Sequence, residues 1–497
     1  VPALCDPLGK ENLLIFSPGL LAATSVVNTG RLSIGAKSPL TGGIKESNAG
    51  GVPARAMAKL GIKAVVIEGK PKEGSCFHLV IDKEQQVHLI DASGEMGKGT
   101  YQTVEAVLKN FGEKNAVLAI GPAGEKKVLS ASIQSMDPSG KPSRSAARGG
   151  LGAVMGSKGL KSLVISTEGT VRNPISDKDA FQELSRRFAS SIKSDGWSGS
   201  VLPDFGTASI LSNSNFSGAL PTMNAREGVF ENADKISGDA VADRIKERGG
   251  KRRHKGCSKC IINCSNVFVD KEGREITSAL EYETLWSMGA MLGIDDLDAI
   301  AQLDRLCDDI GLDSMNTGVA VAIAMDAGAI EFGDSVAAIE LVKSVRQENE
   351  LGRLIGDGPD AVGKHLNHSR VPTVKGQSIA GYDPRAMPGM GVTYATSPMG
   401  ADHTAGFVGG VRGSVETLLN TSLSSQVNMA SVDSMGLCMF AQSGGVHTLC
   451  EIITAVTGTP FTINDWQEIG QQCLSKELSF NKRAGLTDQD DQLPEMF

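Results

Sequence analysis

Cys257-Ser-Lys-Cys260-Ile-Ile-Asn-Cys264 sets three thiols at the spacing C-x2-C-x3-C, just after the basic run Lys251-Arg252-Arg253-His254-Lys255. Thiols this close can all turn inward on one ion or one cluster. A structural zinc site calls for a second close pair of Cys or His. None follows, since the next cysteine is Cys307 and the next histidine is His365. An iron–sulfur cubane needs one further thiolate, which distant sequence can supply. Zinc and three unrelated buried thiols are the competing readings.

Working outward, the chain has 497 residues and a formal net charge of -8. That length suggests about three domains with ample core, and the acidic balance argues against a general nucleic-acid binder. Glycine is abundant at 59 residues and aromatics are only 4%, a combination suited to tight turns and close backbone approach to a bound group. Nine scattered cysteines do not make a disulfide scaffold, so reduced, metal-binding use in a cytoplasm is expected. No apolar run reaches the roughly 18 residues of a membrane span. Leu13–Val27 is apolar, but it contains Pro18-Gly19 and follows Asp6 and Glu11, which argues against a signal peptide.

Residues 1–172 read as a β-rich domain. Short apolar runs at 63–68, 77–81, 87–90, 116–120 and 162–166 predict strands, with one helix over 101–111. From 173 the periodicity turns helical. A capping box is expected at Ser176-Asp-Lys-Asp179, and helices over 239–248, 283–292, 296–310, 317–329 and 335–349. A Gly- and Pro-rich loop spans 376–413, and a last helix is expected to start at Asn464. The fold class is α+β: a β-rich domain, then helical domains at 173–371 and 372–497.

Four further constellations carry chemistry. Arg144-Ser145-Ala-Ala-Arg148-Gly-Gly-Leu-Gly-Ala-Val-Met-Gly-Ser-Lys158 combines exposed amides with two arginines, which suits phosphate, although tight turn packing is the plainer reading. Arg31, Ser38-Pro-Leu-Thr-Gly42 and Ser47-Asn48-Ala-Gly50-Gly51, read alone, are turns that could line the same pocket. Asp308-Asp-Ile-Gly-Leu312-Asp313 and Asp433-Ser-Met-Gly-Leu437-Cys438 repeat D-x-x-G-L-[DC]. Two copies suggest two equivalent flat heterocycles gripped from two sides. The second ends in a thiol, which recommends Cys438 as the fourth cluster ligand beside Cys257, Cys260 and Cys264. Glu283, in Glu281-Tyr-Glu283, and His403 are candidate proton carriers.

Taken together these pieces resemble the tungsten-containing aldehyde:ferredoxin oxidoreductase family, in that family's order and over nearly the whole chain. Gly121-Pro-Ala-Gly-Glu125 and Tyr382-Asp-Pro-Arg385 add to the likeness. The resemblance implies tungsten, or molybdenum, held by two pterin dithiolenes, with a [4Fe-4S] cluster nearby. Arg31, Asn48, Gly50, Arg144 and Ser145 match positions that hold pterin phosphates through a bridging Mg2+. Asp308, Leu312, Asp313, Asp433 and Leu437 match pterin contacts, and Glu283 and His403 match the acid–base pair.

The function so implied is oxidation of a small aldehyde to a carboxylic acid, with electrons passed to ferredoxin or a ferredoxin-like iron–sulfur subunit in a homo- or hetero-oligomer. A low-potential aromatic acyl-CoA reductase and a non-catalytic electron-transfer subunit are the alternatives. Segments the family carries before Val1 and after Phe497 are expected to be missing. Gln302 and Arg305 replace a Glu-x-x-His metal pair found in some members, so that metal is not expected.

Overall fold

The computed structural model describes residues 1–170, 174–347 and 349–497. Two sheets build the N-terminal part. In the first, β1 (Leu14–Pro18), β2 (Leu32–Lys37), β3 (Ile44–Ala49) and β4 (Val65–Ile67) lie in the order β3-β2-β1-β4. In the second, β5 (Phe77–Ile81), β6 (Val87–Asp91), β7 (Asn115–Ala119), β8 (Ile133–Ser135), β9 (Arg144–Ala146) and β10 (Leu160–Ser166) are ordered β6-β5-β10-β7-β8-β9. Their inner faces share a core of Leu14, Phe16, Leu32, Ile34, Leu118, Ile133 and Leu163. Burial alternates with period 2 along β2 and β3, whereas the apolar runs of β7 and β10 are buried at every position, as central strands covered on both faces are. The Asp82–Gln86 link closes a β5–β6 hairpin.

Several expectations need correcting. Helices Pro53–Lys59, Pro122–Glu125 and Leu151–Ser157 join Thr100–Phe111 in the N-terminal part, so it is not strand with a single helix. Ser47-Asn48-Ala49 is not a turn but the end of β3, where Lys45, Ser47 and Ala49 point inward. The boundary set at 172 lies outside the described residues. Helix Lys178–Ser194 is capped by Asp177, which accepts from the Ala180 amide, rather than by Ser176. The last helix, Ile463–Ala484, starts from a Thr462/Asp465 capping box, not from Asn464.

Tyr282–Ser287 is a short helix followed by a separate turn at Ala290–Leu292. The helix expected from 317 begins at Ser314, and the one from 335 ends at Ser344. The 376–413 loop contains helix Pro388–Thr396, whose small residues support close packing.

The helical part has two apolar cores. The larger runs from Leu211 through Trp286, Ile300 and Val321 to Tyr394 and Val408, and so continues across position 371. The other joins Leu21 and Val26 to Phe181, Phe188, Val432, Leu449 and Trp466, with Cys260, Cys264 and Cys438 at its margin. Among the described residues no helix is long and apolar enough to cross a membrane.

Candidate active site

The two D-x-x-G-L-[DC] hexapeptides are built alike. Each ends a long helix, Leu297–Ile310 or Val415–Ser434. Gly311 has φ 80° and Gly436 has φ 64°, the left-handed turn that glycine adopts without strain. In both, the leucine amide reaches back five residues, Leu312 to Cys307 O at 2.8 Å and Leu437 to Val432 O at 3.1 Å. Both also clasp the N-terminal part. Ser132 N donates to Gly311 O and Asp313 N to Ser130 O; Arg31 N donates to Gly436 O and Cys438 N to Asn28 O. The clasping stretches lead directly into β8 and β2. Asp308 and Asp433 are thereby held half-buried at these turns, where desolvation pushes both carboxyls well above their usual range.

Gly50 is the meeting point of the anion-binding pieces. A Cβ there would stand 2.4 Å from Cys257 Sγ, 3.4 Å from Arg31 Nη1 and 3.7 Å from Arg144 Cδ. Arg31 donates through Nε to Asn48 Oδ1 and through Nη2 to Asn48 O at 3.0 Å. Burial works against its charge, but Cys438, Cys257, Asp433 and Glu46 hold its pKa up. Arg144 is anchored by Glu281 Oε1 at 3.0 Å, Ser265 Oγ at 3.0 Å and Ser278 O at 2.7 Å, while its buried Nε has no partner among the described residues. Ser145 Oγ accepts from Gln134.

Arg148 is placed differently. It is buried, and its guanidinium is taken up by Ala401 O at 2.8 Å, Ser378 O and Oγ, and Asp313 Oδ2 at 3.4 Å. Its role is to tie the glycine loop to the helical part, so the phosphate role read for it is not the one its partners give it. Asp313 caps helix Ser314–Asp326, accepting from the Met315 and Asn316 amides.

The four thiols gather on one side of this hub. Asn28 binds two of the loops that carry them: its Nδ2 donates to Cys260 Sγ at 3.4 Å and its carbonyl accepts from Cys438 N. Burial pushes Cys438 up to about 12, against the pull of Arg31. Cys264 is raised by burial, then by Glu281, Cys260, Cys438 and Cys257, so all four sulfurs share one field. Thiols so desolvated ionise only beside strong positive charge. Among the described residues, no three metal-ligating side chains are drawn together around a single-ion position.

On the other side, the Glu281-Tyr-Glu283 motif divides its carboxylates. Glu281 meets Arg144, while Glu283 turns to His403, with Oε1 3.4 Å from Nε2. Glu283 Oε2 accepts from Gly381 N at 3.0 Å. His403 Nδ1 is buried without a partner among the described residues. Burial pushes Glu283 up, and His403, the Gly381 amide and Arg148 pull it back only in part. Tyr382 packs 5.6 Å from the His403 ring and 4.9 Å from Phe407, walling the pocket.

Sequence reasoning missed the ion pair beneath this pocket. Lys45 Nζ lies 2.6 Å from Asp402 Oδ2, with the side chains 1% and 4% exposed. Burial works against Asp402's charge, yet Lys45, Arg148 and His403 hold its carboxyl well below the usual range. The available signal was a lysine at an inward-facing position of β3, a strand hidden because its end, Ser47-Asn48-Ala49, reads as a turn.

Comparison with known proteins decides the family. The model of the aldehyde ferredoxin oxidoreductase N-terminal domain matches residues 1–167, and that of the same family's domains 2 and 3 matches residues 183–497. The chain belongs to the aldehyde ferredoxin oxidoreductase family. It is 33% identical to the tungsten-containing aldehyde ferredoxin oxidoreductase of Pyrococcus furiosus, over 99% of this chain and 84% of that protein. Identity and both coverages are the same for the Thermococcus kodakarensis protein of that description. A WOR-like subunit of an aliphatic sulfonate oxidoreductase from Pyrococcus furiosus is 26% identical, over 94% of this chain and 77% of that one. In fold the chain resembles the active-site complex BamBC of benzoyl coenzyme A reductase, with TM-score 0.83 and 21% identity, over 100% of this chain and 84% of that one. This aldehyde ferredoxin oxidoreductase family member is an oxidoreductase.

Proposed function

We propose that the protein oxidises an aldehyde with water to a carboxylic acid, at a tungsten bis-pterin centre seated between the two hexapeptides. Bound there, the cofactor supplies the two-electron redox chemistry, and the protein supplies position and proton handling. The residues fit it. Asp308 and Asp433 would offer half-buried carboxyls to ring and amino nitrogens, and Leu312 and Leu437 fix the backbone beside them. Arg31, the open Nε of Arg144, Asn48, Gly50 and Ser145 form the anion end, suited to phosphates with a bridging Mg2+. Cys257, Cys260, Cys264 and Cys438 would hold a [4Fe-4S] cluster, whose iron supplies the positive charge that buried thiolates require. A cluster held there would supply the one-electron carrier between this site and ferredoxin or a ferredoxin-like subunit.

The observation that carries the reading is the Glu283–His403 contact of 3.4 Å beside the Tyr382 ring. Aldehyde plus water yields acid, two electrons and two protons, so a base must receive a proton beside the reacting carbon. A carboxyl raised by burial suits that exchange near neutral pH, a contribution of roughly 100- to 10,000-fold in rate. The test uses anaerobically purified protein, analysed for tungsten, molybdenum and iron and assayed with an aldehyde panel and a viologen acceptor. Glu283→Gln and His403→Asn should keep metal and pterin and lose at least about 100-fold in turnover. Near-normal turnover in a fully loaded variant would remove that residue from the mechanism.

A further inference from the structure

We propose that a basic cavity beside the cysteine loop docks an acidic iron–sulfur electron carrier; this rests on the reading that electrons leave through the four thiols. The cavity is about 830 Å³, and Arg55, Lys59, Lys178 and Lys259 line it beside Thr24 and Ser25. Its described lining includes no carboxylate. So dense a positive patch runs against the chain's net charge of -8.

The wall of this cavity is also the seat of the thiols. Lys259 lies between Cys257 and Cys260 and donates to Thr24 O at 3.1 Å. Its own carbonyl accepts from Asn28 N, the residue that holds Cys260 Sγ and the Cys438 amide. Arg55 Nη1 donates to Ala22 O and Thr24 O, both at 3.1 Å, fixing the same loop from below. The link between the cavity and the thiols is Lys259, which lines the one and sits in the loop that carries the other.

The occupant follows from how the charge is arranged. The cations come from three separate segments, the helix Pro53–Lys59, the first turn of helix Lys178–Ser194 and the cysteine loop, grouped around the 22–25 loop. Arg55, Lys59 and Lys259 spend donors on backbone carbonyls, Lys59 on Thr167 O at 2.9 Å. A small anion wants convergent donors. Spread, anchored charge instead makes a field that steers and orients an acidic protein face, raising association about 10- to 1,000-fold at low salt. Asp177, next to Lys178, is turned to its own helix end and accepts from Ala180 N at 3.0 Å.

The experiment measures binding of a purified acidic ferredoxin to the holoenzyme at low and high salt, alongside viologen-linked turnover and iron content. The paired variant Lys59→Glu/Lys178→Glu should weaken ferredoxin binding at least about tenfold at low salt and flatten its salt dependence, leaving viologen turnover and iron unchanged. The neutral pair Lys59→Met/Lys178→Met should fall between. If Lys59→Glu costs iron, Lys178→Glu alone, on an exposed first turn, still must weaken binding. Unchanged ferredoxin affinity with intact viologen turnover overturns the docking site. Absent aldehyde turnover with normal, salt-sensitive ferredoxin binding overturns the aldehyde reading and supports the docking site.

Discussion

Gly50→Ala adds one methyl group where Cys257, of the proposed cluster site, meets Arg31 and Arg144, of the proposed anion pocket. Gly50 does not have the left-handed backbone that makes alanine costly, so the penalty is contact alone. The new Cβ would lie 2.4 Å from Cys257 Sγ, about 1.2 Å inside an ordinary contact of ~3.6 Å. No backbone stands in the way, so the thiol rotates aside rather than the sheet opening. Overpacking of this kind costs about 1–3 kcal/mol, far less than a domain core can bear. The damage should therefore fall on the cluster: most of its iron lost, with only a few degrees of melting temperature. Iron per chain, the visible absorption of the cluster and a thermal melt read this out together. Cys438→Ala should lose iron to a similar degree. Gly94→Ala, with nothing within 4 Å of its Cβ, should change neither quantity. Full iron in Gly50→Ala would refute the placement of Cys257 Sγ against this glycine, and with it the link between thiols and anion pocket.

Lys45→Met should leave Asp402 a buried charge short of its main partner and cost about 3–5 kcal/mol in denaturant unfolding, much of it recovered when Asp402 is also neutralised. Equal loss in the single and double variants would count against the pair. Glu477 gives a pH prediction. Burial raises its pKa from 4.5 to about 7 despite the Cys473 contact, with Glu46 adding to the rise. The folded state thus binds the proton more tightly than the unfolded state. Wild-type stability then falls as pH climbs through that window, and the penalty is full above it. After allowance for partial exposure, Glu477→Gln should gain about 1–3 kcal/mol at pH 8 and nothing at pH 4. A gain independent of pH would contradict this.

Much of the fold could be read because its signals are local. Ala116-Val-Leu-Ala-Ile120 and Ser162-Leu-Val-Ile-Ser166 are apolar and β-rich in composition, and both form central strands. The repeated hexapeptide was legible because a helix end with a left-handed glycine has a fixed local pattern. The segment Ile44-Lys-Glu-Ser-Asn-Ala49 was not, since two of its inward positions are the polar Lys45 and Ser47, and what makes Lys45 tolerable inside is Asp402, 357 residues away. The partners of Arg148 were hidden for the same reason: the carbonyls of Ser378 and Ala401 lie more than 200 residues away. Pairing partners that far apart leave no trace in spacing or periodicity.

The two clasps also impose an order on the making of the molecule. Ser130 and Ser132 close on a hexapeptide that leaves the ribosome well before the chain is finished. Asn28 and Arg31 must wait for Gly436 and Cys438, and Ser33 meets Asp433 O across 400 residues. Contacts of such separation form late in folding. A nascent chain therefore has one jaw of the cradle shut and the other open through most of translation, with three of its four thiols already made. Any factor that inserts the cofactor meets its best opening in that interval or just after release, before the final helices lock the second jaw.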